Sequence, residues 1–264
     1  MTPPLFAIHP DGSRHRVDRE WVGEAPVALE FNGLAYAVMM ATPTDLEDFA
    51  TGFALCEGLA ASPADIADMA VAEVDNGWIV RAALTGLGTD KLTERVRARV
   101  AESSCGLCGI ENLAAVAQPL PRVPAHAALA PDALFAALAA LRAHQVLGQR
   151  TGAAHAAAWV DPAGVIGCIR EDVGRHNALD KLVGAMALAG ARMGAPLAPG
   201  FVLSTARCSY EIVEKAVRAG ATTLATVSLP TSLAVTRARA AGLSLYCLAR
   251  DDSVLCVNDA AATA

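Results

Sequence analysis

Apolar residues recur in two different rhythms along this chain, and the change falls near residue 130. In the first part, short alternating runs come in pairs. Val27-Ala-Leu-Glu-Phe and Leu34-Ala-Tyr-Ala-Val-Met-Met flank Asn32-Gly33, a dipeptide that tolerates positive φ at both turn positions, and this predicts a β-hairpin after a polar strand-like start. From Pro43 the spacing becomes helical, with Leu46, Phe49, Ala50 and Phe53 on one face. Thr42 or Thr44 is the expected cap, and Gly58 the expected stop. An acidic helical turn from Ser62, a second strand pair over 70–74 and 77–84, and a charged helix over 90–101 complete a small α+β unit.

Pro119, Pro121 and Pro124 crowd one short stretch and oppose regular structure there, so the chain is expected to divide into domains 1–130 and 131–264. A helix over Pro131 to His144 opens the second part. Strand-like runs at 155–160, 165–169, 201–204, 222–227 and 243–248 then alternate with helices at 173–189, 209–219 and 231–241. Such alternation predicts an α/β domain with a mostly parallel sheet covered by helices. Reactive residues in such sheets gather at the carboxyl ends of strands and at helix starts. No internal repeat is visible.

Composition narrows the function classes. An apolar fraction of 54% with 18% charged residues is that of a globular enzyme-like chain. A net charge of −6 argues against nucleic-acid binding through a general basic field, while leaving room for a local anion pocket. The longest uncharged run, 219–236, is broken by Pro230 and rich in Thr and Ser, so no membrane span is expected. The N-terminus lacks a basic region followed by an apolar stretch, which makes the cytoplasm the expected location.

Seven cysteines include one close pair, Cys105-Gly-Leu-Cys108, in a Ser- and Gly-rich stretch that reads as a loop over 102–112. That spacing serves zinc half-sites, redox disulfides and persulfide relays alike. A structural zinc site needs about four ligands, and the chain has no second such pair and only scattered histidines, so no metal site is expected. The other five, Cys56, Cys168, Cys208, Cys247 and Cys256, sit in apolar settings and read as core residues.

Three corners where a strand runs into a helix suit an anion. Arg170-Glu-Asp172-Val-Gly-Arg175-His176 leads into Asp180-Lys181, with Asp172, His176 and Asp180 at the spacing of one helix face and the Asp180-Lys181 pair expected as a solvated salt-bridge face. Arg207 and Ser209 form the second corner, Ser228 and Thr231 the third. Three neighbouring corners suggest one extended phosphate-bearing ligand. His155, at the head of a small-residue strand, reads equally as a buried histidine satisfied by backbone.

Taken together, Glu24-Ala-Pro-Val-Ala-Leu, Pro43 to Phe53, Ser104-Cys-Gly-Leu-Cys-Gly, Thr151-Gly-Ala-Ala-His, Glu171 to Leu182 and Ser209 to Lys215 resemble, in order, the FdhD family of formate dehydrogenase accessory sulfurtransferases. The resemblance implies a carrier of persulfide sulfur from a cysteine desulfurase to the molybdenum bis(molybdopterin guanine dinucleotide) cofactor used by formate dehydrogenase. It implies a cytidine-deaminase-like C-terminal domain, a homodimer, Cys105 as the persulfide carrier and Cys108 as its neighbour. Leu248, Ala249, Arg250, Asp251, Asp252 and Ser253 stand in for a cofactor-binding segment that usually carries an aromatic and more basic residues. The same residues would serve a cofactor-binding chaperone without sulfur transfer, and the cysteine pair a thiol-disulfide oxidoreductase.

Overall fold

The computed structural model describes residues 5–86, 118–193 and 199–261. The cysteine pair Cys105 and Cys108, and the helix expected over 90–101, lie outside the described residues.

A two-stranded ribbon, β1 (Leu5–Ile8) and β2 (Arg14–Val17), precedes a four-stranded sheet of β3 (Ala25–Phe31), β4 (Leu34–Ala41), β5 (Ile66–Val74) and β6 (Gly77–Leu84), in the order β4-β3-β6-β5. The Asn32-Gly33 hairpin forms as expected, with φ of 51° and 76° that only such residues adopt cheaply. Helix α1 (Leu46–Cys56) packs Phe53 onto Phe31 and Tyr36 of this sheet, with Phe49 against Phe53 in the same core. Its cap differs from expectation: Asp45, in the left-handed region at φ 52°, precedes the helix without a side-chain cap, and Thr42 is committed elsewhere.

Pro131–His144 forms α2, as expected, and α3 (Val146–Thr151) follows. The larger sheet has the order β12-β11-β10-β9-β7-β8, from β7 (His155–Val160), β8 (Ile166–Asp172), β9 (Phe201–Ser204), β10 (Thr223–Thr226), β11 (Ser244–Cys247) and β12 (Leu255–Asn258). α2 covers one face, packing Leu134, Ala137 and Leu141 on Ala158, Leu203 and Ala225. Helices α4 (Arg175–Met193), α5 (Tyr210–Arg218) and α6 (Ser232–Ala241) cover the other. The α/β class is therefore as expected, whereas the pairing is mixed: β9, β10 and β11 are parallel, but β7, β8 and β12 pair antiparallel. The reason lies in the connections. The short turn between β7 and β8, tied by Asp161, cannot carry the dozen or more residues that a parallel crossover needs.

α1 and α4 meet backbone to backbone. A Cβ on Gly52 would lie 1.7 Å from the Asp180 carbonyl oxygen, and one on Gly184 1.8 Å from that of Asp48. In an open helix, alanine would be favoured over glycine by about 1 kcal/mol. Here the sign reverses: Gly184→Ala is expected to cost about 3 kcal/mol or more by forcing the helices apart, read as a lower urea midpoint. An unchanged or raised midpoint would show that this contact is not tight.

Burial corrects three readings. Asp172 is the last residue of β8, not part of a helix face with His176 and Asp180. Asp180 and Lys181 are 1% and 0% exposed, so neither belongs to a solvated face. Cys56, Cys208 and Cys247 are core residues, but Cys168 is only half-buried and Cys256 is exposed, because it lies on the edge strand β12.

Candidate functional site at the strand ends

The run Glu171 to Lys181 is used almost residue by residue. Glu171 accepts hydrogen bonds from the Leu147 and Gly148 N–H groups at the start of α3 (2.7 and 2.8 Å). The buried Asp172 carboxylate accepts from the N–H groups of Thr42 (3.0 Å) and Gly174 (2.7 Å) and from the Asn177 amide (2.9 Å), and pairs with Lys181 at 2.6 Å. Lys181 donates in turn to the Thr42 carbonyl, and Val173 N–H to the Thr42 hydroxyl. Asp180 instead binds Lys215 of α5 through both oxygens (2.8 and 2.9 Å). These buried polar contacts fix the β8–α4 turn against the end of β4 and leave Arg175 and His176 as the first residues of α4.

Arg175 and His176 face the loop after β9. Glu211 in the first turn of α5 comes within 3.2 Å of His176 Nε2, but off the line of a hydrogen bond. The imidazole holds the Glu211 carboxyl below its ordinary range, against the opposing effect of burial. Ser209 precedes α5 without capping it, its hydroxyl directed to Glu211 at 3.4 Å. Arg207 is exposed and joins no ion pair among the described residues. His155, at the start of β7, reaches the Thr205 hydroxyl at 3.4 Å and feels the charges of Arg175, Arg207 and His176.

Backbone hydrogen bonds zip the strand-end loops together. Thr231 N–H donates to the Cys208 carbonyl (3.0 Å), Leu248 N–H to Ser228 (3.2 Å) and Ala249 N–H to Thr226 (3.1 Å). The corners of Arg207, Ser228 and 248–253 are therefore one continuous rim at the carboxyl ends of β9, β10 and β11. Thr231 is occupied as the cap of α6, accepting from Ala234 N–H at 3.2 Å. Leu248 takes a left-handed turn at φ 52°, and Arg250 folds back onto the Val227 and Ala249 carbonyls. Between this rim and α2 lies a cleft of 650 Å³.

The fit to a large anion has a direct sign. Arg175 Nε is a buried donor position without a hydrogen-bond partner among the described residues, an expensive state that an incoming oxyanion would relieve, and His176 beside it has only the unaligned contact with Glu211. No group of three or more His, Cys, Asp or Glu among the described residues could hold a metal ion. No described helix is long and apolar enough to cross a membrane.

Residues 22–262 match the FdhD/NarQ family. The chain belongs to that family. It is 45% identical to the sulfur carrier protein FdhD of Variovorax paradoxus over 90% of this chain and 84% of that one. It is also 45% identical to the protein of the same name from Burkholderia mallei, over 89% and 86%. A crystal structure of a candidate formate dehydrogenase accessory protein from Desulfotalea psychrophila shares the fold, with a TM-score of 0.73 at 22% identity over 98% of this chain and 96% of that one.

For this FdhD/NarQ family chain, the structure sets Thr205, Glu211 and the α2 wall beside the expected residues, and brings in His155, which the sequence had left open. Burial first, then Arg175, pushes the His155 imidazole below the usual histidine range. An anion among these cations would raise that pKa, so binding takes up a proton and tightens as pH falls. A phosphate-bearing ligand such as GDP is expected to bind more tightly at about pH 6 than at about pH 8. Calorimetry in buffers of different ionisation enthalpy reads the proton uptake, and equal affinities across that range would place His155 outside the ligand's surroundings.

Proposed function

We propose that this protein carries persulfide sulfur on Cys105 from a cysteine desulfurase to the molybdenum bis(molybdopterin guanine dinucleotide) cofactor required by formate dehydrogenase. The observation that carries the reading is the convergence of Arg175, His176, Arg207, Ser209 and Ser228 on one strand-end rim, where the buried Arg175 Nε has no partner among the described residues, in a chain whose relatives bear the name sulfur carrier. A diphosphate-bearing acceptor suits that rim, since guanidinium and amide donors match phosphate oxygens. The acceptor is substrate here, and the described residues bind and orient it.

In the first step the Cys105 thiolate attacks the terminal sulfur of the desulfurase persulfide. An S–S bond forms on Cys105 as the one on the donor breaks, and the donor cysteine leaves as thiolate, so no outside oxidant or reductant is needed. Delivery of the formally neutral sulfur to the acceptor leaves the Cys105 thiolate behind. At a reference pKa near 8.5 only about 3% of a thiol is ionised at pH 7, so a nearby cation favours the reaction. Arg175 and Arg207 supply such charge on the rim, with His176 between them and Glu211.

Homodimerisation, a cytoplasmic location and a division into domains 1–130 and 131–264 belong to the same reading. Incubation with a cysteine desulfurase and cysteine, followed by mass spectrometry, should find one added sulfur on the peptide containing Cys105. Its absence would sink the reading. Activation retained by a Cys105→Ser, Cys108→Ser double variant would instead favour a chaperone that holds the cofactor without sulfur chemistry.

A further inference from the structure

We propose that the apolar cavity at the amino ends of β9 and β10 binds an aliphatic monocarboxylate, with Arg218 holding the carboxylate at its mouth. The cavity has a volume of 340 Å³. Gly200 and Thr222, which directly precede the two strands, line it, so it lies at the opposite end of the larger sheet from the strand-end rim. Leu55 of α1, Pro63 in the turn before β5, and Val183 and Met186 of α4 supply much of its apolar surface.

A cavity of this size falls in the range of small-molecule sites, roughly 300–1,000 Å³. Apolar atoms facing a void forgo the dispersion contacts that packed neighbours would give, and a hydrocarbon body restores them. Gly200 also lets Trp159 of β7 approach: a Cβ there would lie 2.8 Å from Cε2, the ring atom bonded to the indole nitrogen. The indole N–H and the Thr222 hydroxyl have no hydrogen-bond partner among the described residues.

Charge then selects the ligand's end group. Arg218 is the only charged residue among the described residues that line the cavity. It is exposed, reaches to Gly58 just past α1, with Nη1 3.4 Å from where a Cβ would stand, and makes no hydrogen bond or ion pair among the described residues. The nearest acids in the chain are engaged elsewhere, Glu57 with Lys215 and Asp65 with the N–H groups of Ala61 and Ser62. Bare carbonyls at helix ends would repel an anion. Here those of α1 accept from Gly58, Leu59 and Ala60, and those of α5 from Ala219, Gly220 and Ala221. A guanidinium without a counter-charge beside an apolar cavity matches a hydrocarbon chain ending in a carboxylate. A sugar phosphate would leave the apolar lining unfilled.

Calorimetric titration of the full chain with decanoate, decanol and hexanoate tests this. Decanoate should bind, with decanol about fivefold weaker for want of the charged contact, an effect kept modest by the exposure of Arg218. Hexanoate should be about a hundredfold weaker, because it buries four fewer methylenes. Arg218→Gln, an exposed change whose fold is checked by its melting curve, should abolish the preference for decanoate over decanol. Ala61→Trp, at an exposed lining position, should fill the cavity and abolish binding of both. Equal affinities of the parent for decanoate and decanol, or a preference that survives Arg218→Gln, would overturn the carboxylate site. A parent that binds none of the three, or binding that survives Ala61→Trp, would overturn the cavity itself. The cavity stands apart from the rim, so its failure would leave the sulfur-carrier reading in place.

Discussion

Cys105→Ala should abolish persulfide labelling of the protein and, in cells that depend on it, reduce formate dehydrogenase activity to the level of a null strain. The expectation is this large because covalent carriage has no partial substitute: without a thiolate at that position, no S–S bond holds the sulfur between donor and acceptor. Alanine removes only the sulfur atom, and the strand-end rim should keep its cations, so affinity for a phosphate-bearing ligand should match the parent. Full activation by the Cys105→Ala protein would eliminate the persulfide mechanism. Cys108→Ala should give at least a partial defect, and the ratio of persulfide formation to activation separates help in loading sulfur from help in releasing it.

The second large effect concerns stability, at the buried knot of Asp172, Asn177, Lys181 and Thr42. Both charges of the 2.6 Å pair are fully enclosed. Removing one partner of such a pair typically costs about 3–5 kcal/mol, because the other charge stays buried. The two deletions should differ. Asp172→Asn leaves the Lys181 ammonium facing the Thr42 carbonyl and a neutral amide, whereas Lys181→Met leaves a carboxylate that still accepts from Thr42, Gly174 and Asn177. Asp172→Asn should therefore be the worse, with a fall in Tm on the order of 10 °C. Thermal melts of the two variants check both size and order, and a Tm within about 2 °C of the parent for Asp172→Asn would show that the pair is dispensable. Because the same knot anchors the turn that presents Arg175 and His176, surviving Asp172→Asn protein should also bind GDP more weakly.

Much of the fold was legible along the chain because its signals are local. The Asn32-Gly33 turn, the apolar spacing of α1 and the bounds of α2 depend on residues a few positions apart, and the structure bears each of them out. The departures arise where distant segments compete for one group. Thr42 was a plausible helix cap by position, but Asp172, Val173 and Lys181, some 130 residues away, claim its backbone and hydroxyl. Asp180 and Lys181 have the composition of a solvated face. Only the approach of α1 through Gly52 and of α5 through Lys215 encloses them.

The candidate site divides the same way. Residue order alone pointed to Arg175, His176, Arg207, Ser209 and Ser228, since a cation or hydroxyl between a strand and a helix is an anion signal wherever the helix packs. That these corners share one rim was decided by the order of β9, β10 and β11 in the sheet and by the backbone bonds that join their loops. The leucines of α2 that wall the cleft carried no sequence signal, because an apolar helix face looks alike whether it lines a cleft or a core. The sequence by itself determined most of the elements and the family. Tertiary structure decided which charges are buried partners and which stand free, because burial and pairing belong to contacts between segments far apart in the chain.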